Sequence, residues 1–359
     1  MREAWQRKPL LMRAAIPGFV APVDRDRLFQ MARDSRIESR LVDTSGDHWS
    51  LRHGPFARLP SPRRRGWTVL VQGVNLHDEA AHRLLGRFRF VPEARLDDLM
   101  VSFASDGGGV GPHVDSYDVF LLQAAGRRRW RISRQRDLHL RDDVPLQLLR
   151  SFRATQEWEL EPGDMLYLPP GVAHEGAAVG ESLTYSIGFR APTYQELFEP
   201  WLADFAENAT VAGRYADPGM AATSTPGVLP ARMTSRVHAM LSRARPGRAD
   251  TERFLLRRLT EPKANIVFER PRRPLSLASF SAHACRRGVG LDRRTRLMRS
   301  ARAVGINGEW LEPGANISAL QRLSDARELA PSEAAGAPDE LWPLLHDWYR
   351  AGWLHFLDR

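Results

Sequence analysis

Cysteine occurs once in the 359 residues, at Cys285. One thiol closes no intramolecular disulfide, so the chain has no cystine framework and suits a reducing compartment. A lone cysteine of this kind reads as a packed apolar side chain rather than a nucleophile. Lysine is almost missing as well: Lys8 and Lys263 are the only two, and arginine carries the net charge of +9. That skew fits a genome-composition bias. The basic runs at 63–65, 127–129 and 270–273 are scattered along the chain. Binding of a polyanion calls for clustering on one face, so a solvated surface accounts for most of these arginines. No stretch approaches the roughly eighteen apolar residues of a membrane helix. The opening MREAWQRKPLLMR is too charged for a secretory signal, and no internal repeat is present. These absences predict a cytoplasmic protein with no membrane partner and no requirement for direct nucleic-acid binding.

What is present is an ordinary globular balance, 43% hydrophobic and 26% charged residues, at a length that suits two or three domains. Three textures follow one another. Up to residue 192 the chain is rich in short β-like runs punctuated by Gly and Pro. Examples are Trp67-Thr-Val-Leu-Val-Gln, Leu99-Met-Val-Ser-Phe-Ala, Met165-Leu-Tyr-Leu and Leu183-Thr-Tyr-Ser-Ile-Gly-Phe. Such runs predict a β-sandwich or small barrel. Residues 193–262 switch to helical spacing, with Leu197, Trp201 and Phe205, then Val237 and Leu241. A Pro/Gly/Ser/Thr-rich loop at 217–230 interrupts them. Residues 263–359 are mixed, with a strand near Ala303, an Asn307-Gly308 hairpin signal, two helices and a closing Trp353-Leu-His-Phe-Leu run.

The chemistry concentrates in two segments. In Gly107-Gly-Gly-Val-Gly-Pro-His113-Val-Asp115, a histidine and an aspartate two apart on a strand project from one face. Alone, that triplet is a weak signal. The second segment, Glu161-Pro-Gly-Asp164-Met-Leu-Tyr-Leu-Pro-Pro-Gly-Val-Ala-His174, reads as turn, short buried strand, turn and then a histidine, a cupin-type pattern. His113, Asp115 and His174 together match the facial triad of non-haem Fe(II) oxygenases. Zinc accepts the same donors, so the triad leaves the metal open. The three free positions suit a 2-oxo acid and dioxygen. A 2-oxoglutarate co-substrate also needs a cation for its distal carboxylate. Gly126-Arg-Arg-Arg-Trp-Arg-Ile offers one. A hairpin of strand 118–123, turn 124–126 and strand 127–132 would return it beside the metal. Alternation then places Arg128 with Trp130 and Ile132, and turns Arg127 and Arg129 to the opposite face.

The run Asp97-Asp98-Leu-Met100-Val-Ser102-Phe, the two segments above and Gly126-Arg-Arg-Arg-Trp-Arg closely resemble the bacterial ribosomal oxygenases. These are JmjC-type arginine hydroxylases of the large-subunit ribosomal protein L-sixteen. His53-Gly-Pro-Phe, Val71-Gln-Gly-Val-Asn75, His174-Glu-Gly176 and Tyr185-Ser-Ile-Gly-Phe-Arg-Ala-Pro192 extend the resemblance, which is dense from Trp5 to about Pro218 and weak beyond. It implies iron ligands His113, Asp115 and His174, and 2-oxoglutarate contacts from Ser102 and Arg128. It implies a substrate-arginine pocket of Asp98, Met100 and Tyr117, with Ser186 nearby. For Ser186, a strand serine satisfied by backbone stands level with that role. The implied fold is mainly β plus α. A JmjC/cupin double-stranded β-helix (1–192) precedes a helical dimerisation region (193–262) that makes a homodimer, and a C-terminal winged-helix-like domain (263–359). Two other readings stand beside it: a JmjC histidyl hydroxylase or demethylase, and a non-catalytic nucleic-acid-binding protein with a vestigial cupin. An acidic Asp98 in the pocket favours arginine over neutral imidazole.

Overall fold

The computed structural model describes residues 3–45, 48–312, 314 and 317–357. The chain divides into two units, Met1–Ala191 and Pro192–Arg359. The first holds strands β1 (Leu10–Met12), β2 (Ser39–Ser45), β3 (His48–His53), β4 (Trp67–Val71), β5 (Leu96–Ala104), β6 (His113–Val114), β7 (Asp118–Ser133), β8 (Gln156–Leu160), β9 (Met165–Leu168) and β10 (Ala173–Phe189), with helices α1 (Arg25–Met31) and α2 (Glu79–Gly86). All ten strands join in one antiparallel network, ordered β1-β9-β7-β10-β5-β4-β2-β3, with β6 on β10 and β8 on β7. This is the JmjC/cupin fold that the sequence motifs imply.

Alternation along β5 decides the two faces. Leu99, Val101 and Phe103 enter the main apolar core with Val69 and Val71 of β4, Leu28 of α1 and Leu84 of α2. The intervening Asp98, Met100 and Ser102 occupy the other face. Directly opposite residues share a face, so Ser186 and Thr184 of β10, which pair with Met100 and Ser102, join that row. Helices cover one side of the sheet, and the barrel interior on the other side carries polar groups. The site is built there.

One local expectation is corrected. Residues 118–133 do not turn back at 124–126; they form a single sixteen-residue strand, β7. Gly126 has the positive φ, 63°, that suggests a turn. Its pairing with the seventeen-residue β10 converts the irregularity into a bulge, with register shifts between Val179 and Ser182 and again between Leu183 and Thr184. The buried Gln123 amide fixes it, donating to the carbonyls of Ala125 at 2.8 Å and Gly126 at 3.2 Å. Long-range ladder bonds outweigh a three-residue turn signal.

The second unit begins with α3 (Tyr194–Asn208), capped by Thr193 and Glu196 in a capping box, then α4 (Ala231–Arg243) and α5 (Arg248–Thr260). Trp201 and Asp204 of α3 bond Thr251 and Arg257 of α5, at 3.2 and 2.7 Å. Next come α6 (Leu277–Arg287), β11 (Val289–Leu291), β12 (Leu297–Arg299), β13 (Val304–Ile306), β14 (Glu309–Leu311), α7 (Ile317–Ala326), β15 (Glu328–Leu329), α8 (Pro331–Ala335), α9 (Leu341–Ala351) and β16 (Leu354–Phe356). The strands make two three-stranded antiparallel sheets, β15-β11-β16 and β12-β13-β14. Asn307 and Gly308, with φ of 47° and 89°, turn β13 into β14 as the Asn-Gly signal predicts. Phe280, Leu345, Trp348 and Leu354 share a separate core in this unit. No helix among the described residues is long and apolar enough to cross a membrane.

Candidate active site

The start of β10 faces β6, with His174 directly opposite His113 and Ala173 opposite Val114. Asp115 follows immediately after β6, which is shorter than the strand the His-x-Asp spacing suggests. Its position is fixed by the backbone, since its carbonyl accepts from the Gly171 amide of the Pro-Pro-Gly turn at 2.9 Å. His113 Nε2 lies 3.7 Å from Asp115 Oδ1, and His174 Nε2 lies 3.6 Å from Asp115 Oδ2. One ligand atom from each of the three residues falls within 4.8 Å of the others, a spacing that accepts a metal ion.

Both imidazoles are oriented from behind. His113 Nδ1 lies 3.0 Å from the Gly111 carbonyl, and His174 Nδ1 lies 3.0 Å from the Val172 carbonyl. A carbonyl only accepts, so each Nδ1 carries the proton and each Nε2 keeps its lone pair for a metal. His174 is held well below its ordinary range, at about 4, first by burial and then by the neighbouring His113. It therefore stays neutral, the form a ligand requires.

Deeper along β7, Arg128 and Trp130 are buried, at 3% and 5% exposure, while Arg127 and Arg129 are solvent-exposed. Arg127 and Arg129 pair with Glu159 and Glu157 of β8 at 2.6 and 3.5 Å. Arg128 has no such partner. Nη2 donates to the Gly176 carbonyl at 3.1 Å, and Nε and Nη1 are buried with no hydrogen bond. Burial alone lowers the pKa of its guanidinium to about 10. The guanidinium lies 5.1 Å from the Trp130 ring, whose Nε1 is also buried without an acceptor. Gly176 makes room for this arrangement, since a Cβ there would stand 2.7 Å from both Arg128 Nε and Trp130 Cζ3. Arg128 pairs with Ala178 and Ile132 with His174, so guanidinium and metal site share one wall of the barrel. A buried cation with two idle donors is a cradle for an anion.

The remaining expected residues fall on β5, on β10 and just past β6. Ser102 is buried and its hydroxyl donates to the Thr184 carbonyl at 3.4 Å. Ser186, opposite Met100, is buried to 9% exposure. Tyr117 is 40% exposed; desolvation first, and then the neighbouring Asp115 charge, push the pKa of its hydroxyl up. Asp98 is buried and receives the Gln72 amide. Two residues beside this row carry no separate signal in the sequence. Trp130 reads as a face-mate of Arg128, and Gln72 as part of the Val71–Asn75 motif. Nothing in one sequence distinguishes a buried indole donor from a core tryptophan.

The JmjC domain family matches residues 83–197. The "Ribosomal protein uL16 3-hydroxylase" of Escherichia coli is 40% identical over 242 residues, covering 66% of this chain and 64% of its own length. A Haemophilus influenzae protein described as a probable ribosomal oxygenase is 36% identical over 209 residues, 55% of this chain and 50% of its own. The matched stretch thus spans half to just under two thirds of these relatives. A solved structure of an Escherichia coli ribosomal oxygenase in complex with cobalt and 2-oxoglutarate superposes with a TM-score of 0.85 at 29% identity, covering 99% of this chain and 96% of that one. Together with the His-Asp-His cluster and the polar inner wall, these likenesses show that residues 83–197 carry a JmjC domain and that the chain is similar to the bacterial ribosomal oxygenases.

Proposed function

We propose that the protein is an Fe(II)- and 2-oxoglutarate-dependent hydroxylase that places a hydroxyl on the β-carbon of an arginine in ribosomal protein L-sixteen, with succinate and CO2 as co-products. The observation that carries this reading is the pairing of an open two-histidine, one-carboxylate cluster with a buried guanidinium whose donors stand idle on the same wall. In the assignment, His113, Asp115 and His174 hold the iron. Arg128, helped by Ser102, takes the distal carboxylate of 2-oxoglutarate. Asp98, Met100, Tyr117 and Ser186 form the arginine pocket. Iron with 2-oxoglutarate and dioxygen supplies the oxidising chemistry when bound. The residues of this chain orient the donors, neutralise the co-substrate's far carboxylate and seat the substrate. Zinc would accept the same three ligands, but the unsatisfied Arg128 favours iron chemistry with a dicarboxylate partner.

A buried carboxylate at Asp98 supports a cationic substrate side chain over the neutral imidazole of a histidyl hydroxylase. The similarity to the uL16 3-hydroxylase supports a ribosomal protein as the substrate. A cytoplasmic homodimer joined through residues 193–262 completes the reading; among the exposed apolar side chains there are Tyr194, Phe198 and Leu202 of α3 and Met233, Met240 and Leu241 of α4. The test is intact-mass measurement of ribosomal proteins after incubation with enzyme, Fe(II) and 2-oxoglutarate. One added oxygen on an L-sixteen arginine is expected, with succinate released in step. Oxygen added to a histidine, or succinate release that no ribosomal protein stimulates, would refute the assignment.

A further inference from the structure

The segment Val71-Gln-Gly-Val-Asn75 has no role in the chemistry above, yet it brackets Asp98. Gln72 follows β4 directly, and its Nε2 donates to both oxygens of the Asp98 carboxylate, at 3.1 and 3.0 Å. Gly73 adopts a φ of 61°, and a Cβ there would lie 3.8 Å from Asp98 Oδ2 and 3.2 Å from a Leu76 methyl. Asn75 is buried, and its Oδ1 accepts from the Leu99 amide at 2.9 Å. One short turn therefore grips the carboxylate of Asp98 and the backbone of the next residue. Behind it, Gln72 Oε1 accepts from Arg40 Nη2 at 3.4 Å, and the same nitrogen lies 4.0 Å from Met100 Sδ.

We infer that Gln72 is a specificity-determining positioning residue: it aims the Asp98 carboxylate at the guanidinium of an incoming arginine. The inference rests on the reading of Asp98 given above. The terminal torsion of an aspartate is broad and two-fold, so an unheld carboxylate rocks about it. Recognition of a planar guanidinium depends on where the oxygens point, and angular error weakens a charge-assisted hydrogen bond. A donor shared between both oxygens removes that rocking. Because Gln72 is a neutral amide, it holds Asp98 without cancelling its charge, which a lysine or arginine at the same place would do. Arg40 polarises the amide from its oxygen end, which strengthens the donating end.

The experiment measures affinity for the arginine peptide identified by the mass test, and for its lysine counterpart. Calorimetry on Mn(II)-substituted enzyme with 2-oxoglutarate, without oxygen, reads binding free of turnover. In Gln72→Met the side chain keeps its length and loses its donor. Peptide Kd is expected to rise about tenfold or more, the preference for arginine over lysine to shrink, and both 2-oxoglutarate affinity and Tm to stay at wild-type values. Gln72→Asn, which retains an amide on a shorter arm, is expected to recover part of the affinity. Asp98→Asn run alongside separates the two readings. If Asp98→Asn weakens the peptide while Gln72→Met binds it as well as wild type or better, the inference is overturned and the pocket stands. If Asp98→Asn has no effect, the pocket assignment itself fails. Loss of 2-oxoglutarate binding or of folding in both Gln72 variants makes Gln72 a structural residue and overturns the inference.

Discussion

At the scale of single residues, the site is marked by what is buried and unsatisfied. Arg128 carries a charge into the barrel with two donor atoms idle, and such groups cost about 1–3 kcal/mol each when left so. On the proposed role, that cost is offset only when the 2-oxoglutarate carboxylate is bound. Arg128→Met is therefore expected to raise the Tm of the protein without 2-oxoglutarate. The rise in Tm that added 2-oxoglutarate gives the wild type should vanish in the same variant. Thermal denaturation with and without 2-oxoglutarate reads both effects, and a variant less stable than wild type in its absence would mean that Arg128 is satisfied within the fold. Arg127→Ala serves as the control: its exposed pair with Glu159 belongs to a class that contributes little.

At the scale of elements, the long β7–β10 ladder places His174 and Arg128 on one pair of strands. Its weak point is Gly126. A Cβ there would stand 1.9 Å from the Glu181 carbonyl, on a backbone with φ of 63°. Both the left-handed conformation and the contact exclude a side chain. Gly126→Ala is expected to lower unfolding free energy by about 2–3 kcal/mol, measured by urea titration. Gly171 also has a positive φ, 80°, but open space around it. Gly171→Ala should cost about 1 kcal/mol, from backbone strain alone. Equal losses in the two variants would show that the β-bulge tolerates displacement.

At the scale of the molecule, α3 and α4 bury no residue of their own, although α3 carries Phe198 and Leu202 at 49% and 48% exposure. Helices gain most of their stability from burying an apolar stripe, so these two call for a partner surface. On the proposed dimer, the wild type is expected to sediment as a dimer at micromolar concentrations and the double variant Phe198→Asp/Leu202→Asp as a monomer, with the first unit still folded. A wild type that sediments as a monomer at every concentration would remove the proposed interface.

Legible in the sequence are the clustering of His113, Asp115 and His174, the alternation that buries Arg128, the Pro-Gly-Asp and Pro-Pro-Gly turns around β9, the 193–262 helices and the Asn307-Gly308 reversal. Each is a local pattern, with a spacing of two, a helical period or a left-handed turn pair, and local patterns are written in neighbouring residues. The tertiary structure decided whether Gly126 would be a turn or a bulge, because that depends on the partner strand β10, some fifty residues away. It decided that β6 stops at Val114, leaving Asp115 held by Gly171. It also decided that Gln72 meets Asp98, across a sequence gap of 26 residues. Pairing energy between distant strands has no signature in a single chain, so the candidate donors are legible in the sequence while the contacts that hold them in place are not.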